Sequence, residues 1–226
     1  MRGRPDQEGP DQEGPDQEGP DIARWMILAA VAEALAAGAV LAVFGAGERG
    51  TDTALQVTGR ISFLLFWPAY AGGALAVLFG PAFLWLKRRG RAFGLAFAAG
   101  HSVHVALIGW LCWIGAAPAL PIFVFFGAAL ICMYLLAAGS LAPVRRALGP
   151  LGWRILQVVG MNDIAYAFAR DFMKFHDGAG VRFLLAYAPF IVLGVAGPVL
   201  VFAAFVRRVV GGAPLPVAVL PSRREG

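Results

Sequence analysis

Two histidines lie three residues apart within a long apolar stretch of the sequence. Apart from Ser102, the residues around His101 and His104 are apolar or glycine. If the stretch is helical, a spacing of three residues puts both imidazoles on one face, about one turn apart. A neutral imidazole in such surroundings is a good ligand for haem iron or for a transition metal. The alternative is that the rings form hydrogen bonds to serine or to backbone carbonyl groups of other helices, and the sequence leaves both open.

Other apolar stretches also contain ionisable residues. Glu33 lies in the middle of the first stretch, where it could bind a proton or a cation. We expect it instead to pair with a basic residue of the fifth stretch, because an isolated carboxylate there would be protonated. In the fifth stretch, Asp163 and Arg170 are seven residues apart and share a helix face, which favours an internal polar network. That network is part of a polar stripe of four residues: Asn162, Asp163, Arg170 and Asp171.

The remaining reactive side chains suggest no further chemistry. Cys112 and Cys132 are expected to be small packing residues. His176 follows the fifth stretch and is expected to be solvated. No set of nucleophile, base and acid is apparent, so no catalytic residue is predicted.

The composition indicates which elements hold these residues. Of the 226 residues, 59% are apolar and 15% are charged, whereas about a quarter of the residues of a soluble domain are charged. The apolar stretches exceed the ~20 residues that cross ~30 Å of hydrocarbon as a helix. Helices are expected because lipid cannot satisfy backbone amides. We predict an all-α, polytopic membrane helical bundle of about six transmembrane helices, at 22–44, 61–86, 92–116, 119–142, 148–173 and 181–206. The fifth is the most polar, and its alternative is an amphipathic helix on the membrane surface.

The distribution of Lys and Arg predicts the orientation of the bundle. With six spans, 14 of the 19 basic residues fall on the side of the two termini. Basic residues concentrate on the cytoplasmic side of membrane proteins. We therefore expect both termini in the cytoplasm, and a multi-pass protein of the bacterial inner (plasma) membrane in contact with the lipid bilayer.

Two tails flank the predicted spans. Residues 1–21 repeat Pro-Asp-Gln-Glu-Gly, which predicts a disordered acidic tail, and residues 207–226 form a basic cytoplasmic tail. No cleavable signal peptide is expected. Neither tail reaches the ~50 residues of a small domain, so no flavin or nucleotide site is predicted in this chain. Nucleic-acid binding is not expected either, because membrane topology accounts for the basic loops.

Several short motifs resemble those of a known membrane family. Their order is Thr58-Gly59-Arg60, the basic cluster 87–91, Gly94-Leu95 with His104 nine residues later, Arg145-Arg146, Leu148-Gly149 and Trp153-Arg154-Ile155-Leu156. In these motifs the chain resembles the ferric reductase-like transmembrane domain superfamily, and within it the haem-binding membrane subunit of the periplasmic methionine sulfoxide reductase system. The resemblance covers about residues 58–175. It implies six spans, cytoplasmic termini and b-type haem.

The resemblance carries over one iron ligand. His104 stands at the position of a haem-ligating histidine, whereas two further expected histidines are replaced by Gln157 and Arg170. Arginine stays protonated and cannot coordinate iron. The candidate cofactor-binding residues are therefore His104, His101 and Arg170, where Arg170 would pair with a haem propionate, and His104 is the candidate metal ligand.

Three functions remain open from the sequence. The leading hypothesis is a b-haem electron-transfer subunit of a membrane oxidoreductase, which would need a separate flavin-dependent reductase or a second membrane subunit as partner. The second is a haem-free structural or interaction subunit of the same fold. The third is a small proton-coupled transporter that uses Glu33, His104 and the polar stripe of the fifth span.

Overall fold

The computed structural model describes residues 18–173 and 181–211, with side chains at 21–173 and 185–211. Every element in these ranges is helical, which confirms the predicted all-α class. In chain order the helices are α1 Glu18–Phe44, α2 Glu48–Phe79, a 3-10 turn Pro81–Phe83, α3 Leu84–Arg88, α4 Gly90–Trp113, α5 Leu120–Gly139, α6 Ala142–Phe172 and α7 Val181–Val210. The predictions for residues 1–17, for His176 and for residues 212–226 lie outside the described residues.

Five of the described helices are long and apolar enough to cross a membrane. They are α1 from Asp21, α2, α4, α5 and α7 from Leu185. The chain is accordingly an integral membrane protein built from a helical bundle. The predicted fifth span corresponds to α6, which is not among the five, because its charged residues lower its hydropathy. Phe168 and Phe172 of α6 are nevertheless buried in the main core.

The boundaries of α2 differ from the prediction at both ends. The helix begins at Glu48 rather than at residue 61, because its polar first turns are amphipathic and bury Thr51 and Ala54 completely. It ends at Phe79 rather than at residue 86. Gly80 has φ +85°, a left-handed conformation that favours glycine, and Pro81 begins the 3-10 turn. The predicted continuous span 61–86 is therefore wrong.

A second glycine breaks α6 near its start. Gly149 has φ +66° and ψ 172°, and Pro150 follows it. Proline lacks the N–H that an uninterrupted helix would use and restricts the residue before it. The first turns of α6, which contain Arg145 and Arg146, therefore run in a different direction from the long part that follows.

An aromatic cluster fills the centre of the bundle between α2, α4 and α6. The ring of Phe63 lies 5.3 Å from that of Phe168 and 5.0 Å from that of Phe172, and Phe66 lies 5.3 Å from Phe97 and 5.6 Å from Phe168. These are favourable spacings for offset or edge-to-face rings. The cluster holds the polar residues of α2 and α4 at fixed positions.

The two ends of the bundle differ in charge. The Arg91 guanidinium of α4 donates to the Ser140 carbonyl after α5 (3.0 Å), and Arg207 of α7 donates to the carbonyls of Val77 and Leu78 in α2 (2.9 and 2.8 Å). These contacts bring most of the described basic residues to one end, called here the basic end: Lys87, Arg88, Arg89, Arg91, Arg145, Arg146, Arg207 and Arg208. At the opposite end, Trp110 of α4 donates to the Ala46 carbonyl between α1 and α2.

The close contact between α5 and α6 is testable at Gly139. A Cβ at this position would overlap the Trp153 ring. We expect Gly139→Ala to lower the free energy of unfolding by about 1–3 kcal/mol, as overpacking does in protein cores. Thermal unfolding in detergent, followed with a thiol-reactive dye at Cys112 and Cys132, measures the effect.

Gly127→Ala is the matched control for this prediction. Gly127 lies on the same helix with open space around its Cα, and alanine has the higher helix propensity. Equal melting temperatures for the Gly139 variant and the control would contradict the described α5–α6 contact.

Candidate functional site

Two hydroxyl groups of α2 face the two histidines of α4. Thr58 and Ser62 are four residues apart, and His101 and His104 are three apart, so each pair lies on one helix face. The His101 Nδ1 lies 2.9 Å from the Ser62 Oγ, and the His104 Nδ1 lies 2.9 Å from the Thr58 Oγ1. Both hydroxyl residues have no exposed surface. Each imidazole is therefore held by a buried hydroxyl of the neighbouring helix.

Glu33 of α1 contacts the pair formed by Ser62 and His101. Its Oε1 accepts a hydrogen bond of 2.8 Å from the Ser62 hydroxyl. The side chain has no exposed surface, and Oε2 has no hydrogen-bond partner among the described residues. One hydroxyl thus connects a carboxyl group of α1 with an imidazole of α4.

The packing of α1 against α4 leaves space for this carboxyl group. A Cβ at Gly100 would lie 2.7 Å from the Glu33 Oε1 and 3.5 Å from the Ala29 carbonyl oxygen. Ala29 and Ala37, one turn before and one turn after Glu33, are also buried. Small residues therefore let the two helices approach while the carboxyl group stays between them.

The hydrogen-bond partners of Thr58 fix the tautomer of His104. The Thr58 hydroxyl donates to the Ala54 carbonyl oxygen at 2.9 Å. A carbonyl oxygen only accepts, and a hydroxyl has one proton to donate. The Nδ1 of His104 must then donate its own proton to Thr58. In the neutral ring this places the lone pair on Nε2, where it can accept a proton or coordinate a metal ion.

Ser62 differs from Thr58 because both of its partners can gain or lose a proton. In one arrangement, His101 is an imidazolium whose Nδ1–H donates to Ser62, and Ser62 donates to the Glu33 carboxylate. In the other, the Glu33 carboxyl group donates to Ser62, and Ser62 donates to the neutral His101 Nδ1. The two arrangements contain the same number of protons, and a concerted shift along the two hydrogen bonds interconverts them. The geometry therefore supports proton transfer between Glu33 and His101.

The two imidazoles also limit each other's charge. Their rings are stacked, with centroids 4.7 Å apart and planes inclined by 13°. Two positive charges at this separation would repel by about 3.5 kcal/mol at an effective dielectric constant of about 20. The histidine pair is therefore expected to carry at most one extra proton at a time.

Other residues singled out in the sequence lie away from this site or have different partners. The expected pairing of Glu33 with a basic residue of the fifth span is wrong, because α1 packs against α2 and α4 and Glu33 accepts from Ser62. The Arg170 guanidinium lies 4.3 Å from the centre of the Phe125 ring, on the exposed side of α6. Among the described residues, the buried Oδ2 of Asp163 has no hydrogen-bond partner. The expected Asp163–Arg170 network is not formed by these two side chains.

Within the described residues, His101 and His104 cannot together hold a six-coordinate haem. Such a haem needs two ligands on opposite faces of a flat macrocycle, whereas His101 and His104 stack on each other. The His101 ring also lies 5.3 Å from Phe97 and 6.0 Å from Phe168. For a metal ion, the part of the chain that the structure describes contains no suitable group of three or more His, Cys, Asp or Glu residues.

Sequence reasoning identified the ionisable residues of the site but not the hydroxyls. It left open that the histidines bond to serine, and the structure shows that arrangement for His101 and Ser62, with Thr58 in the equivalent role for His104. One signal was available. Thr58 and Ser62 are separated by one helical turn within an apolar span, a spacing that matches the histidine pair.

Comparisons of the chain with models of protein families, with curated proteins and with solved structures found no match. The resemblance to ferric reductase-like domains therefore stays a prediction from the motifs.

The tautomer of His104 can be measured by nitrogen-15 solid-state NMR of the histidine-labelled protein in bilayers. At neutral pH we expect a protonated Nδ1 and an unprotonated Nε2 for His104. Thr58→Val keeps the shape of the side chain but removes the acceptor of the Nδ1 proton, and a buried unsatisfied donor costs about 1–3 kcal/mol. We therefore expect the preference of His104 for the Nδ1–H tautomer to weaken in this variant.

The control for this measurement is Thr53→Val. Within the part of the chain that the structure describes, the Thr53 hydroxyl bonds only to the Arg49 carbonyl of its own helix. An Nε2–H signal for His104 in the unmodified protein would show that the derived proton positions are incorrect.

Proposed function

We propose that this chain is a small proton-coupled membrane carrier and that Glu33, Ser62 and His101 form its proton-binding site. The observation that carries the proposal is the position of Glu33. Its carboxyl group is completely buried between helices and is linked through a single hydroxyl to an imidazole of a third helix. Buried Asp, Glu and His residues within membrane spans are typical of proton relays in pumps and transporters.

The free-energy cost of the arrangement supports a functional role. Burying a carboxyl group with one unpaired oxygen is unfavourable, and an apolar side chain at position 33 would pack between α1 and α4 without that cost. Gly100 leaves space for this carboxyl group, and a larger residue there would displace it.

The depth of the site also fits proton coupling. Glu33 is 11 residues before the end of α1, which is about 17 Å along the helix axis. Ser62 and His101 lie at the same depth as Glu33. Thr58 and His104 lie about one helical turn farther from the basic end. A proton at Glu33 is thus far from both ends of the bundle, as alternating access to a central site requires.

We infer the orientation from the basic end. Because basic residues favour the cytoplasmic side, the basic end would face the cytoplasm. With α6 as the sixth crossing, both termini would lie there too. The buried position of Phe168 and Phe172 in the core supports α6 as a crossing helix rather than a surface helix. The membrane would be the plasma membrane of a bacterium.

Proton flux into proteoliposomes tests the proposal. With a pH-sensitive dye inside the vesicles and a potassium diffusion potential across them, we expect the unmodified chain to carry protons. Glu33→Gln keeps an oxygen that accepts from Ser62 but cannot exchange a proton, so the flux should fall to that of protein-free vesicles. Glu48→Gln is the control, since Glu48 is an exposed carboxylate at the start of α2.

Two results would count against the carrier. Equal flux in both variants would remove Glu33 from the mechanism. No flux from the unmodified chain, under an imposed potential or an imposed pH gradient, would favour the second hypothesis, a haem-free structural or interaction subunit.

The electron-transfer hypothesis has its own favourable observation and its own test. The His104 Nδ1 is fixed by Thr58, and a second hydrogen bond of this kind is typical of histidines that bind metals through Nε2. The hypothesis predicts a b-type haem spectrum, reduced with dithionite minus oxidised, in membranes that contain the chain, and loss of this spectrum in His104→Ala. A featureless spectrum from haem-replete cells would exclude this function and leave the carrier proposal unaffected.

A further inference from the structure

The segment between α2 and α4 forms a shallow concavity at the basic end. After Gly80 the chain makes the 3-10 turn and the five-residue helix α3, and it turns again at Arg89 into α4. The lining contains two arginines, one tryptophan and two apolar residues: Pro81, Leu84, Trp85, Arg88 and Arg89. No acidic residue contributes to this lining.

The apolar part of the concavity is fixed in place by the helix behind it. Leu86 is buried against Gly72 of α2, where an added Cβ would lie 3.1 Å from the Leu86 Cβ. This contact turns Leu84 and Trp85 outward, with 38% and 53% of their surfaces exposed. The Trp85 ring lies 6.5 Å from Phe93 of α4. Aromatic residues at the ends of membrane helices lie at the level of the lipid head groups.

The charged part lies at the same edge. Arg88 and Arg89 are exposed, and among residues 18–173 and 181–211 neither forms an ion pair with a carboxylate. Other arginines of the basic end have partners within the chain. Arg145 stacks on Trp153 at 5.0 Å, and Arg207 donates to two carbonyls of α2. Arg88 and Arg89 are therefore available to bind an external anion.

We propose that this concavity binds an anionic phospholipid. The phosphate of the head group is held by Arg88 and Arg89, whose guanidinium groups bind phosphate oxygens in pairs, and an acyl chain lies along Leu84 and Trp85. The exposed apolar side chains favour a lipid over a soluble anion, because a soluble anion would make no contact with Leu84 and Trp85. The position between the ends of two membrane helices places the phosphate at the depth of the head groups.

Titration of the full chain in detergent with short-chain lipids tests the site. Dioctanoyl phosphatidylglycerol should raise the melting temperature of the unmodified protein to a saturating value. In the double variant Arg88→Gln, Arg89→Gln we expect about thirtyfold weaker binding, from the usual contribution of two arginines near an anionic surface. Without lipid, this variant should melt like the unmodified protein, because both side chains are exposed.

The control is the double variant Arg145→Gln, Arg146→Gln, which removes the same charge from the same end and should bind the lipid as the unmodified protein does. Three outcomes would overturn the proposal. Equal loss in both double variants would mean diffuse attraction to the basic end. Equal binding of dioctanoyl phosphatidylcholine would exclude an anionic ligand. Equal binding of inorganic phosphate would identify a site for soluble anions.

Discussion

The burial of Glu33 is the constraint on which the arrangement of α1, α2 and α4 depends. A carboxyl group without exposed surface must find its partners within the bundle, and here Ser62 supplies the donor. Only a narrow face of α1 is buried, with Ala29 and Ala37 one turn on either side of Glu33, whereas Leu35 is 69% exposed. Because this contact is so narrow, a single polar side chain fixes how α1 is aligned with α2 and α4. A shift of α1 by one residue would move the carboxyl group away from Ser62 and out of the bundle.

The two hydroxyls of α2 give the two histidines different properties. The Thr58 hydroxyl donates its proton to the Ala54 carbonyl, so in its bond with His104 it can only accept. Ser62 lies between Glu33 and His101, so its proton can point either way. Because the His104 ring stacks on His101, protonation of His101 disfavours protonation of His104. Under the proposed function, the Thr58 half of the site positions the rings, and the Ser62 half moves the proton.

The sequence predicts the parts of this fold that follow from hydrophobicity and not those that follow from contacts. Apolar stretches locate the helices of the bundle, since lipid permits little else. Hydropathy does not reveal the turn at Gly80 or the break at Gly149, because at both positions the backbone conformation changes while the sequence stays apolar. The ionisable residues His101 and Glu33 stand out because charge is rare in a span. Their partner Ser62 does not, since a serine in a helix is chemically unremarkable until its neighbours are known.

The motif Thr58-Gly59-Arg60 shows how a family-like pattern can arise from packing. Thr58 accepts from His104. A Cβ at Gly59 would lie 3.5 Å from the His104 ring. The Arg60 guanidinium lies 4.2 Å from the centre of the Tyr187 ring of α7, within the range of cation–π attraction. Three consecutive residues thus join α2 to α4 on one side and to α7 on the other, so helix packing by itself accounts for the pattern. Under the proposed function, His104 is therefore a positioning residue whose ring stacks on His101, and His101 is the histidine that exchanges the proton.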